Sequence, residues 1–276
     1  MESYNKYILD KILKEYSGGV NYELSNKWEG FRSLVLVDKI KECEEIVSLY
    51  FKAEDGKKLI EHKAGQYLPI KIKTEDQKYK DELRTYSLSM KSNDSLYRIS
   101  VKRIEGGLIS TYLHENLNIG DCVEAMIPTG IFTLDEKNDR PMVLMSGGIG
   151  ITPLLSMVYE WASSNAVNKN IYFIQAVQNS NVQPFRYDLE KISENNGLRN
   201  IVFYSSPLET DKDGVDYDFK GYINKEWISK NLPMGSDFYF CGPPIFMKSL
   251  NKSLLELGVD KNNIKYEFFG ESIDME

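Results

Sequence analysis

One stretch constrains this chain more than any other: Met145-Ser146-Gly147-Gly148-Ile149-Gly150-Ile151-Thr152-Pro153. An apolar run from Met142 to Met145 precedes it and reads as a buried parallel strand. After it, Leu154, Leu155, Met157 and Val158 continue as a helical pattern. Strand, glycine turn and helix in direct succession open a β–α unit, the context in which a glycine-rich turn bears on ligands. Without Cβ atoms the backbone can approach a diphosphate, and the helix N-terminus offers N–H donors and a positive dipole end. Pro153 in the first helical turn is harmless, because an N–H there has no intrahelical partner. The plainer alternative is a turn that needs glycine only for its dihedrals.

At 276 residues the chain has room for two domains, each with its own core. A hydrophobic share of 42% and a charged share of 27% fit a soluble globular protein. No apolar run approaches the roughly 20 residues of a spanning helix. Met1-Glu2-Ser3-Tyr4-Asn5-Lys6 has no basic start before an apolar block, so a cytoplasmic location is expected. A net charge of −7, with lysines spread along the chain, argues against a nucleic-acid partner. Cys43, Cys122 and Cys241 lie far apart with no Cys-x-x-Cys pair, so neither structural zinc nor an iron–sulfur cluster is expected. His62 and His114 show no ligand spacing and read as structural or surface residues.

Periodicity divides the chain. Ile8, Leu9, Ile12 and Leu13 mark a helix over residues 2 to 16, ended by Ser17-Gly18-Gly19. Short strands follow: Ser33–Val37, Ile46–Phe51, Tyr67–Ile72, Thr85–Met90, Tyr97–Arg103 and Cys122–Ile127, with one helix over Leu108–Leu117. This spacing predicts a small antiparallel barrel. After the polar linker Asp135–Arg140, strand-like Met142–Met145, Ile171–Ala176, Ile201–Ser205 and Asp237–Cys241 alternate with helical stretches near 153–164, 184–195, 223–230 and 243–257. That alternation predicts a doubly wound parallel sheet. The expected architecture has an α+β and an α/β part: an extension (1–27), an antiparallel β-barrel domain (28–137) and an α/β domain (138–276).

Two more motifs flank strand-like runs: Arg84-Thr85-Tyr86-Ser87-Leu88-Ser89 upstream of the glycine turn and Phe240-Cys241-Gly242-Pro243-Pro244 downstream. In this order and at these separations the set resembles the ferredoxin–NADP reductase superfamily, and within it the reductase portion of flavohaemoglobins. The likeness runs from Trp28-Glu29-Gly30-Phe31-Arg32 to Tyr266-Glu267-Phe268-Phe269-Gly270. It implies FAD held by the barrel and a nicotinamide dinucleotide held by the α/β domain.

A flavin needs a cation for its diphosphate, a wall against its ring system and a polar contact near N5. The resemblance assigns these to Arg84, Tyr86 and Ser87, with Thr85 beside them; Arg84 suits its part through a planar fork of donors. Tyr67 in Gly65-Gln66-Tyr67 matches the tyrosine that lies beside the flavin. Val101 and Lys102 lead through Gly106 and Gly107 to Ser110 and Thr111, matching a Gly-x-x-Ser turn where a helix N-terminus holds the diphosphate. The Ser110 hydroxyl can also serve as a simple N-cap. FAD is preferred to FMN because this diphosphate motif is present, and Tyr79 is a candidate adenine contact.

For the nicotinamide dinucleotide the resemblance implies Gly147, Gly148, Gly150 and Pro153 around the diphosphate, with Thr152 adding a hydroxyl donor. Cys241, Gly242 and Pro243 end a strand where open α/β sheets place ligands. Cys241 is expected to shape the nicotinamide pocket rather than attack, since no base for a nucleophilic thiol is evident. Glu267 is expected to polarise the nicotinamide region or feed a proton toward reduced flavin, and Phe269 to cover the flavin face. The loop Ser205-Ser206-Pro207-Leu208-Glu209-Thr210-Asp211 is polar and acidic, which favours NADH and leaves NADPH possible through Lys212.

The expected function is hydride transfer from NADH to FAD. Residues 1–27 are too few for a globin, so the expected acceptor is a separate haem, iron–sulfur or ferredoxin-like protein, or a small molecule. Two alternatives stay open: a free-flavin reductase, and a non-catalytic docking or sensing module on the same scaffold.

Overall fold

Side chains alternate along the first strand, β1 (Arg32–Lys41), so that Leu34 and Leu36 are fully buried while their neighbours Ser33, Val35 and Val37 are half-exposed. That two-residue period turns one face inward; β2 (Ile46–Ala53) and β3 (Tyr67–Ile72) are buried along most of their length, β4 (Arg84–Ser87) is half-buried up to Ser87, β5 (Tyr97–Lys102) is buried as far as Val101, and β6 (Cys122–Ala125) repeats the alternation. The computed structural model describes residues 28–135, 139–163, 170–270 and 275. The helix expected over residues 2 to 16 lies outside them, as does part of the polar linker, residues 136–138.

The six strands pair antiparallel in the order β4-β3-β6-β1-β2-β5. A bridge between Leu88 and Ile99 joins the two ends, so the sheet closes as the barrel that the strand spacing predicts. Its interior holds Leu34, Leu49, Phe51, Leu68, Ile70, Tyr97 and Ile99. Each such side chain contributes roughly 1.5–3 kcal/mol by leaving water. A helix, α1 (Leu108–Glu115), sits between β5 and β6 and sinks Ile109 and Leu113, one helical turn apart, into the same core. It ends two residues earlier than the sequence suggests. There the Lys39 ammonium donates to the carbonyls of His114 and Leu117, at 2.7 and 2.9 Å, which caps the negative end of the helix.

The second unit begins at Asp135 and also takes in Glu42–Glu44. Its strands are β7 (Met142–Gly147), β8 (Ile171–Val177), β9 (Arg199–Tyr204), β10 (Phe219–Lys220), β11 (Asp237–Cys241) and β12 (Ile264–Glu267). All pair parallel in the order β10-β9-β8-β7-β11-β12. The first strand of the unit is therefore internal, and the winding reverses beside it, between β7 and β11. β7 and β11 are buried along their whole length, as parallel strands with both faces covered must be. Helices α2 (Ile151–Ser163), α3 (Arg186–Asn196), α4 (Lys225–Asn231) and α5 (Pro244–Glu256) alternate with them. Asn224 caps α4 by accepting the Trp227 N–H at 2.9 Å.

Two strands escape the periodicity reading. β10 has two residues, too few for a period, and β12 follows a short turn within a stretch read only as a motif. Among the described residues no helix is long and apolar enough to cross a membrane.

His62 is 4% exposed at the edge of the barrel core, edge-on to Tyr97, and its Nε2 has no hydrogen-bond partner among the described residues. Burial pushes its pKa down to about 4, against an ordinary 6.5, although the Lys63 carbonyl beside Nδ1 opposes the shift. Between those values the unfolded chain binds a proton that the folded one excludes. Stability is therefore complete above about pH 6.5 and falls by roughly 3 kcal/mol as pH drops toward 4. Urea unfolding of the protein and of His62→Gln should differ in pH dependence across this window, and parallel profiles would contradict the assignment.

Candidate functional site

Strand pairing brings two sequence motifs together on the barrel. β3 and β4 are registered so that Tyr67 lies opposite Ser87, Leu68 opposite Tyr86, Pro69 opposite Thr85 and Ile70 opposite Arg84. The Ser87 hydroxyl is buried and has no hydrogen-bond partner among the described residues. Such a group costs free energy unless something pairs with it, so it fits a polar ligand atom. Tyr67 is 3% exposed, bonded through its backbone to Thr129 and backed by Gly130. A Cβ on Gly130 would stand 3.0 Å from the Tyr67 ring, and its φ is +124°. Only glycine serves there, and sequence reasoning missed it for want of a motif. Tyr86 is half-buried against the barrel core.

Arg84 is already engaged. Its Nη2 lies 2.7 Å from a Glu82 carboxylate oxygen and its Nη1 donates to the Leu83 carbonyl at 2.7 Å. Glu82 is itself 9% exposed, so an anionic ligand at Arg84 meets a buried carboxylate beside it. The sequence reading overlooked this residue.

The turn before α1 departs from expectation in three ways. Gly107, not Ser110, is the N-cap, and among the described residues no side chain caps the helix, so the first turn carries uncommitted donor capacity. The Ser110 oxygen instead accepts the Ile104 N–H at 3.2 Å, which closes the preceding loop and leaves its proton to donate. A Cβ at Gly107 would stand 2.6 Å from that oxygen, and Gly106 has φ +69°, so both glycines are needed for the turn. The Thr111 N–H is spent on the Gly107 carbonyl. Val101 is 1% exposed in the barrel core and its carbonyl receives the His114 ring nitrogen at 2.8 Å, so the position serves packing rather than an open contact. Lys102 pairs with Glu45 at 2.6 Å. Tyr79 packs against Tyr112 of α1 with ring centroids 4.7 Å apart, a platform of which only Tyr79 was foreseen.

In the α/β unit the glycines divide by purpose. A Cβ at Gly150 would fall 2.1 Å from the Cys241 carbonyl oxygen, and one at Gly147 would fall 2.8 Å from the Pro243 ring. A Cβ at Gly242 would stand 3.0 Å from the Gly147 Cα. The turns after β7 and β11 thus nest backbone against backbone at the point where the winding reverses. Gly148 differs, with φ +52° and open space where a Cβ would go. The turn passes through a short 3₁₀ segment, Gly148–Gly150, before α2. Thr152 is 2% exposed and its hydroxyl donates to the Ile149 carbonyl at 3.1 Å, so the expected donor is committed to the turn. Pro153 is buried in the first turn of α2.

Cys241 ends β11 fully buried, registered between Ser146 of β7 and Glu267 of β12. Glu267, 8% exposed, is thereby brought beside Cys241 across a strand pair that the sequence did not reveal. Phe268 packs into the sheet's core, whereas Phe269 is 46% exposed, which separates the two adjacent rings. The loop after β9 is tied to the end of β8 by the Ser205 N–H on the Val177 carbonyl and the Ser206 N–H on that of Gln178. Asp211 orders that loop, accepting from the Ser180 hydroxyl at 2.5 Å and the Leu208 N–H at 2.9 Å. Desolvation pulls its pKa up, but these bonds prevail and hold the carboxyl below its ordinary value. Glu209 and Lys212 are exposed.

The nested turns make a prediction. Gly150→Ala should cost about 3 kcal/mol or more, since backbone must move to admit the methyl group. Gly148→Ala should cost only the about 1–2 kcal/mol of a left-handed residue. Equal midpoints in urea unfolding would contradict the packing described.

Two family models match: Oxidoreductase FAD-binding domain over residues 33–134 and Oxidoreductase NAD-binding domain over residues 144–252. The chain is 38% identical over 256 residues to a flavohemoprotein of Bacillus anthracis, and 39% identical over 253 residues to one of Rhodopirellula baltica. These alignments cover 90% and 88% of the chain, and 63% and 61% of the relatives' own length. Among solved structures, the flavohem-like FAD/NAD binding domain of nitric oxide dioxygenase from Vibrio cholerae is 33% identical with a TM-score of 0.79. That match covers 88% of this chain and all of the other. Flavohemoglobin from Malassezia yamatoensis, with bound FAD and heme, is 26% identical with a TM-score of 0.76, covering 87% of this chain and 60% of that one. With a barrel of the FAD-binding family followed by a parallel sheet of the NAD-binding family, the chain belongs to the ferredoxin–NADP reductase superfamily, in its flavohaemoprotein-like branch.

Proposed function

We propose that this chain is an FAD-dependent reductase that takes hydride from NADH and passes electrons to a separate acceptor. The observation that carries the proposal is the buried Ser87 hydroxyl, without a hydrogen-bond partner among the described residues and opposite Tyr67 in the β3–β4 pair. When bound, FAD supplies hydride acceptance and stepwise electron release, which no side chain can. Tyr67, Thr85, Tyr86 and Ser87 would hold its ring system. Arg84, Lys102, Gly106, Gly107, Ser110 and Thr111 would serve the diphosphate, and Tyr79 with Tyr112 the adenine. The uncapped first turn of α1 supports this division of labour, because its N–H groups suit an anion.

On the α/β unit, Gly148 would allow the nicotinamide dinucleotide a close backbone approach, with Gly147, Gly150, Gly242 and Pro243 setting the shape of the turn pair. Cys241 would line the nicotinamide pocket and Glu267 polarise it, two functions that suit buried neighbours on adjacent strands. Phe269 is exposed and suited to covering a flavin face. The preference for NADH rests on Glu209 and Asp211, since a 2′-phosphate beside Ser205 and Ser206 would meet carboxylates where NADPH sites use Arg or Lys. The proposed acceptor is a separate haem, iron–sulfur or ferredoxin-like protein, with haem favoured because the relatives are flavohemoproteins. The cytoplasm, which supplies NADH, is the proposed compartment.

A second reading has an observation of its own. Glu82 beside Arg84 weakens the hold on a diphosphate, as suits an enzyme that uses free flavin as a substrate.

Anaerobic visible spectra decide between them. A yellow protein bleached by NADH supports the first reading, and a colourless one that oxidises NADH only with added flavin supports the second. Arg84→Ala should weaken FAD affinity about tenfold, the loss of one charge-assisted contact, and unchanged flavin content after dialysis would count against the assignment. Glu209→Arg should raise kcat/KM for NADPH about tenfold relative to NADH. Unaltered selectivity would place the 2′-position elsewhere.

A further inference from the structure

Ser89 ends the Arg84–Ser89 motif yet has no task in the ligand assignment. It is fully buried. The chain changes partners just before it: the Leu88 N–H donates to the Gln66 carbonyl next to β3, and the Ser89 N–H donates to the Arg98 carbonyl on β5. Arg98 returns the contact. Its Nη2 donates to the Ser89 carbonyl and its Nε to the Ser89 hydroxyl at 3.1 Å, so one residue grips both backbone and side chain of the other. The guanidinium lies over the Tyr50 ring and donates to its hydroxyl at 3.3 Å. From Ser89 a buried hydroxyl chain runs through Ser100 to Ser48, each link 2.8 Å.

Arg98 is 5% exposed, and burying a guanidinium is costly unless its donors are placed. The position it secures is two residues beyond Ser87. A one-residue slip of that strand would move the Ser87 hydroxyl and the Tyr86 ring each to the face the other now occupies. We infer that Arg98 is a positioning residue for the flavin contact, acting through Ser89 to fix the register and depth of Tyr86 and Ser87. The inference rests on the flavin reading of Ser87 given above.

The test uses the full chain with Arg98→Met, Arg98→Lys and Ser89→Ala. FAD affinity is read by titration, the bound flavin by visible circular dichroism and midpoint potential, and stability by urea unfolding. Arg98→Met should weaken FAD about tenfold or more and Ser89→Ala about threefold. Both should alter the dichroism and potential of the flavin at saturation. Arg98→Lys should resemble Arg98→Met, because an ammonium lacks the fork that serves both acceptors. If saturated variants match the original protein in dichroism and potential and lose only stability, Arg98 merely braces the fold and the inference is overturned. Should Arg98→Met not fold, Ser89→Ala decides by the same readouts. An original protein that binds no FAD overturns the flavin reading itself, whereas normal FAD binding with unaffected variants overturns the clamp alone.

Discussion

The α/β unit depends on one approach of backbone to backbone: Gly150 against the Cys241 carbonyl. β7 and β11 are neighbours whose turns leave the sheet at the same end, and the two turns fit only because Gly147, Gly150 and Gly242 lack side chains. From this nest follow the complete burial of Cys241 and the alignment of Ser146, Cys241 and Glu267 across three strands. It also leaves Gly148 as the residue whose missing Cβ opens onto space rather than protein. A glycine-rich turn is commonly credited to its ligand. Here most of its glycines answer to the protein's own packing, and Gly148 alone of the turn has no described atom within reach of a Cβ.

The barrel holds its polar groups by a different economy. α1 is fastened at its C-terminal end by Lys39 and His114 and left uncapped at its N-terminal end, so its dipole and donors point out of a fixed frame. Arg84 carries a buried carboxylate partner, Ser87 has none among the described residues, and Arg98 supports the strand that bears both. Any anion drawn to Arg84 would therefore meet the repulsion of Glu82 as well as the attraction of the guanidinium.

Much of the fold was legible in the residues because the signals are local. Short segments that alternate or run apolar, set off by turns, marked the barrel strands, apolar runs such as Ile171–Ala176 marked the parallel ones, and the glycine turn marked the change to helix. What escaped was short or distant. Two residues of β10 carry no period, and β12 shows as a strand only through its pairing with β11. The candidate site was legible in the same measure. Arg84, Tyr86, Ser87 and the turn glycines stand in motifs, whereas Glu82, Gly130, Tyr112 and Arg98 are ordinary residues until strand pairing and packing bring them to the motif residues.

By itself the sequence determined the kind of elements, their order and the chemistry available in each turn, since these depend on side-chain type and spacing within a few residues. Only the tertiary structure decided which turns meet, which donors are already spent and which polar group is left unpaired. Thr152 and Ser110 look like ready hydroxyl donors in the chain. Folding commits the Thr152 proton to Ile149 and the Ser110 oxygen to Ile104. Hydrogen-bond capacity is a property of a residue type, but its availability is fixed by neighbours that only folding supplies.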